Sequence, residues 1–168
     1  MRYLDSAPTA YHAAAEAAAR LTDADFIELD ERKPWTLAPQ SAYFVRRQDA
    51  SIIAFRTGKC ECEEHGFRIA AAHTDSPGFK LKPDSENWKS GGLRMTAEVY
   101  GSPIRATWFD RELGIAGRVT VSGRGPLETM LYIADKPSAL IPNVAVHLNR
   151  EMNKGVEYNP QTEMRAVL

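Results

Sequence analysis

Cysteine is nearly absent: there are two, Cys60 and Cys62. Thiols this close in sequence rarely meet disulfide geometry, and two of them make no disulfide framework. A reducing cytoplasm is therefore the expected compartment. An excess of one charge is also missing. Lys and Arg number 21 against 22 Asp and Glu, for a net charge of −1. No positive field is available for a nucleic-acid partner of the basic-patch kind. No stretch approaches the ~18 apolar residues of a membrane span, and Met-Arg-Tyr-Leu-Asp opens the chain without an apolar signal region. There is no glycine-rich phosphate loop, H-E-x-x-H, G-x-S-x-G or paired C-x-x-C. What is present is ordinary globular composition, 43% hydrophobic and 26% charged over 168 residues, enough for one domain or slightly more.

Residues 8–21 read as a helix. Thr9 is a capping residue, Ala-Ala-Ala-Glu-Ala-Ala-Ala-Arg is strong helix composition, and Tyr11, Ala14, Ala15, Ala18 and Leu21 share one face. His12 reads as surface or packing. Residues 26–39 read as irregular. Short β-type runs follow at 41–47 and 51–57 around Gln48-Asp49-Ala50, then a charged turn over 59–66. Residues 67–73 are apolar on both parities, which predicts a strand buried on both faces. Pro77, Gly78, Pro83, Gly91 and Gly92 then punctuate the chain, and a weak domain boundary is expected near 80–92. Leu93, Met95, Ala97 and Val99 alternate with polar neighbours, as in a half-buried strand. Further strands are expected at 117–122 and 128–134. The sequence closes on an apolar run, which suggests a chain cut short.

The sharpest chemical feature is Ala-Ala-His73-Thr74-Asp75-Ser76-Pro77-Gly78. A neutral imidazole at a strand end is a zinc donor, and a carboxylate two residues on can hold its other ring nitrogen. On spacing alone, a core His followed by a turn-forming Asp-Ser-Pro remains the commoner reading. Cys60, Cys62 and His65 offer three donors but sit in an expected turn, where an exposed charged loop is the simpler account. Asp110 and Arg111, in Trp-Phe-Asp-Arg, suit a buried polar network or an interface. His147 lies in an apolar run, where a core or interface position is usual.

Four ordered segments carry a resemblance. They are Gly66-Phe-Arg-Ile-Ala-Ala-Ala-His-Thr-Asp-Ser-Pro-Gly, Glu98-Val-Tyr-Gly-Ser-Pro-Ile, Trp108-Phe-Asp-Arg-Glu-Leu-Gly-Ile and Ile141-Pro-Asn-Val-Ala-Val-His-Leu-Asn-Arg. With Asn159-Pro-Gln-Thr-Glu-Met after them, the chain resembles the aspartyl aminopeptidase family of zinc metallopeptidases along essentially its whole length.

The resemblance implies an α/β fold: a partial α/β/α zinc-peptidase domain followed by a largely β dimerisation domain, both incomplete. It assigns residues 1–82 to the first segment of the peptidase domain and 83–168 to the dimerisation domain. By resemblance, His73 ligates one of two zinc ions, Asp75 supports the metal site as a catalytic residue, and His147 reaches the substrate of a neighbouring subunit. The implied substrates are peptides, cleaved at an N-terminal acidic or neutral residue. The implied partners are copies of itself, as dimers that build a dodecamer, with neither nucleic acid nor membrane. The family's bridging Asp, Glu pair, further Asp and final His have no counterpart in these residues, and Glu63-Glu64 precedes the H-T-D motif. The chain alone is therefore expected to be inactive. The competing reading is a non-catalytic oligomerisation or interaction module derived from that family.

Overall fold

The computed structural model describes residues 2–59, 66–89, 92–123, 125–151, 155, 159, 161, 164 and 166–167. The chain divides into two compact units. One comprises Met1–Ser76 with Gly117–Tyr132, and the other Pro77–Ala116 with Ile133–Leu168.

In the first unit, a short helix α1 (Arg2–Ser6) precedes α2 (Ala10–Asp23). Thr9 caps α2 as the sequence predicts, with its hydroxyl accepting from the His12 N–H at 3.4 Å. The buried stripe is rotated from the expected one: His12, Ala13, Ala14 and Ala18 are buried, while Tyr11 and Leu21 are half-buried. The two ends of α2 touch different things, and Tyr11 is held under a cation. The Arg118 guanidinium lies 4.3 Å from its ring centroid. Asp25, in the left-handed region at φ 61°, turns the chain out of the helix.

The helix packs on a three-stranded sheet ordered β1 (Ile27–Glu28), β2 (Ala42–Arg47), β3 (Ser51–Arg56). β1, within the stretch expected to be irregular, pairs parallel to β2 through two residues only. So brief a ladder leaves no alternation for sequence to show. β2 and β3, the two short runs expected here, pair with each other as a hairpin, from Ala42↔Arg56 to Arg47↔Ser51. Gln48 and Asp49 at its turn both have positive φ, 51° and 57°. Tyr43, Phe44 and Val45 supply this unit's sheet core, with Phe44 fully buried. A separate two-stranded sheet, β7 (Ala116–Val121) with β8 (Glu128–Ile133), matches the two strands expected there.

The second unit is built on a five-stranded sheet ordered β4-β5-β10-β9-β6. These are β4 (Gly78–Lys89), β5 (Gly92–Tyr100), β6 (Glu112–Leu113), β9 (Ala139–Leu140) and β10 (Ala166–Val167). β5 keeps the expected alternation, with Met95 and Ala97 buried and Arg94 and Glu98 exposed. β4 is a long strand where punctuation suggested loops. Its ladder with β5 shifts register between Leu81 and Glu86, around Pro83 and Asp84. Proline lacks a donor, and an edge strand with a bulge accommodates it. Ile141 and Met164 are fully buried. The apolar end of the sequence has a place here: Ala166 and Val167 pair with Met95 and Arg94 of β5.

Candidate metal centre

The strand expected over 67–73 does not form. Residues 66–76 lie outside every strand, with Phe67 78% and Ile69 85% exposed. A strand buried on both faces needs a hydrogen-bonded neighbour and a layer above and below. Among the described residues neither is supplied, since β3 is an edge of its sheet. The Thr74 hydroxyl nonetheless donates to the Ala50 carbonyl at 2.9 Å, which brings this segment back to the β2–β3 turn.

His73 and Asp75 do meet. His73 Nδ1 is 2.8 Å from the Asp75 backbone oxygen and 3.3 Å from its Oδ1. A carbonyl oxygen can only accept, so Nδ1 carries a proton, and in the neutral ring Nε2 holds the lone pair. That is the tautomer of an imidazole ligand whose other nitrogen is held by a carboxylate. The His73 side chain is 79% exposed, so Nε2 is reachable from outside. The core-histidine reading of the H-T-D motif is thereby overturned.

The donor chemistry of His73 suits zinc as one ligand. Among the described residues, however, no three His, Cys, Asp or Glu side chains come together to hold a metal ion. Cys60, Cys62 and His65 lie outside the described residues. His147 is exposed in a turn closed by Leu148 N–H to Ala145 O at 2.8 Å, so it is not a core residue. His73 and His147 belong to separate units.

Asp110 holds a local network rather than a buried one. At φ 53° it is exposed, its Oδ1 accepts from the Asn143 N–H at 2.8 Å, and its own N–H donates to Ile141 O at 2.9 Å. Arg111 donates to Thr107 O at 3.3 Å. The network pins the 108–113 stretch beside Ile141, and Trp108 meets Phe79 edge-on with centroids 4.9 Å apart.

The Asp30 carboxyl is lowered to about 2, chiefly by the Arg32 side chain, and also by the Arg32 backbone N–H. The Arg32 guanidinium grips it at 2.9 and 3.0 Å. This is a surface turn lock, with no cluster of metal donors around it among the described residues.

The model of the family described as "Aminopeptidase I zinc metalloprotease (M18)" matches residues 3–168. The chain belongs to this family. A probable M18 family aminopeptidase 2 from Pseudomonas fluorescens is 45% identical over 166 residues, covering 99% of this chain and 39% of the relative. One from Pseudomonas entomophila is 44% identical over 168 residues, again 39% of the relative. The chain therefore spans about two-fifths of the length of the curated M18 relatives it matches. Among solved structures, that of an Ape4 and Nbr1 complex aligns with 99% of the chain and 32% of its match, at TM-score 0.92 and 38% identity. The mApe1 of Chaetomium thermophilum aligns at TM-score 0.86 and 32% identity, covering 99% of the chain and 39% of its match. These likenesses bear out the mixed α/β class read from sequence.

Proposed function

We propose that this chain carries the first portion of a zinc-dependent aminopeptidase that releases acidic or neutral N-terminal residues from peptides. The observation that carries the reading is His73, held through Nδ1 by Asp75 and presenting Nε2, at the H-T-D motif of an M18 chain. His73 is one ligand of a two-zinc site, and Asp75 fixes its tautomer and orientation. Zinc in such a site activates water and polarises the scissile carbonyl. The remaining ligands and the general base come from residues beyond those described, so the chain alone binds no catalytic zinc pair. Residues 1–82 belong to the peptidase domain and 83–168 to the dimerisation domain. His147 reaches the substrate of a neighbouring subunit, and its exposed turn leaves it free to do so. Self-association as dimers within a dodecamer belongs to the same reading. Neither nucleic acid nor membrane is a partner, and the two close-spaced thiols suit the cytoplasm.

A chimera tests this. The chain replaces the matching part of the Pseudomonas fluorescens relative. Aminopeptidase activity should appear in the chimera, vanish in His73→Ala and fall strongly in Asp75→Asn with the fold retained. Near-normal turnover of His73→Ala would contradict the ligand assignment, and a folded but inactive chimera would favour the non-catalytic module instead.

A further inference from the structure

We propose that Asp110 is a positioning residue for His147, clamping the root of the loop that carries it. The proposal rests on the reading of His147 as a group that reaches a neighbouring subunit's substrate. The clamp grips at two points. Asp110 donates from its own N–H to Ile141 O at 2.9 Å, and its Oδ1 accepts from the Asn143 N–H at 2.8 Å. The second bond spans 33 residues of chain. Together they bracket Pro142, which has no N–H to offer, so the carbonyl before it and the amide after it are both taken.

Backbone conformation makes the grip possible. At φ 53° Asp110 lies in the left-handed region, which aspartate tolerates better than most residues. Its N–H and its carboxylate there serve the same short segment. An ionised acceptor gives a shorter and stronger bond than a neutral one. The parts that the clamp joins are themselves seated. Ile141 is 1% exposed and bridges Phe109. On the other side, Trp108 meets Phe79 edge-on and Arg111 donates to Thr107 O. The β6–β9 ladder reaches the Glu112↔Leu140 pair. Asp110 carries that hold on to Asn143, four residues from His147.

Past the clamp the chain closes on itself. Asn143 Oδ1 accepts from the Val144 N–H at 3.0 Å, and Ala145 O accepts from the Leu148 N–H at 2.8 Å. His147 sits in that closed turn, and Val144, Val146 and Leu148 around it are 47–72% exposed. With its root fixed, the turn holds His147 in one place. With the root released it swings, and a displacement of about 1 Å costs about 100-fold in rate.

Two variants separate the clamp from backbone strain. Asp110→Gly removes the carboxylate at a φ that glycine adopts freely, and Asp110→Asn keeps an acceptor oxygen. In the 168-residue chain, ¹⁵N relaxation of the 145–148 amides should give order parameters of about 0.85 in wild type and Asp110→Asn, and below about 0.6 in Asp110→Gly. If Asp110→Gly does not fold, Asp110→Ala takes its place. In the chimera, Asp110→Gly should lower kcat/KM by roughly 10- to 100-fold with zinc content unchanged, and Asp110→Asn should restore it. In a His147→Ala background, Asp110→Gly should have little further effect. An ordered loop in Asp110→Gly, unchanged kcat/KM, or an equal loss with and without His147 overturns the proposal. Failure of the underlying reading looks different: His147→Ala alone then keeps normal kcat/KM, and the proposal falls with it.

Discussion

His12 is 6% exposed in the first turn of α2. Its Nδ1 lies 2.7 Å from the Thr9 hydroxyl, and its Nε2 has no hydrogen-bond partner among the described residues. Burial lowers its pKa below the ordinary 6.5, because desolvation penalises the charged ring. The unfolded chain then takes up the proton first as pH falls. Stability is intact above about 6.5 and declines below it, towards the lowered folded value. Urea midpoints measured across this range should fall with acidification, and His12→Gln should flatten the slope. Asp110 offers a second residue-scale test. Asp110→Ala removes the acceptor for Asn143 N–H and places a Cβ-bearing residue without a polar side chain at φ 53°. A loss of about 1 kcal/mol is expected in chemical denaturation. Sequence showed His12 only as a helix residue, since its burial depends on which way α2 is turned.

At the scale of elements, backbone conformation makes two predictions of opposite sign. Gly101, at φ 74°, packs on Pro77, and an added Cβ would lie 3.2 Å from the Pro77 Cα and Cβ. Gly101→Ala should therefore lower the thermal midpoint. Gln48, by contrast, holds φ 51° at a hairpin turn that glycine occupies without steric cost. Gln48→Gly should raise stability, by about 1 kcal/mol or less. Phe44→Ala should cost about 3–5 kcal/mol, as expected of a fully buried aromatic. The elements legible in sequence were those with their own local signal: Thr9 capping α2, the short runs of β2 and β3, the alternation of β5. Those missed depend on neighbours. β1 exists through two pairs with β2, and β4 tolerates Pro83 only as an edge strand with a register shift. The run over 67–73 has strand composition but no neighbour to pair with among the described residues.

At the scale of the whole molecule, apolar side chains remain at the surface: on β8, Met130, Leu131, Tyr132 and Ile133 are 40–52% exposed. Family membership was legible from four ordered motifs, because their residues lie in continuous stretches. A metal centre assembled from distant parts of a chain would leave no such local trace, so the sequence offered one candidate ligand, His73, and the Asp beside it. The measurement that bears most directly on this account is the zinc content of the chimera with and without His73→Ala. The account predicts stoichiometric zinc in the chimera and its loss when His73 is removed. Unchanged zinc in the His73→Ala chimera would contradict it.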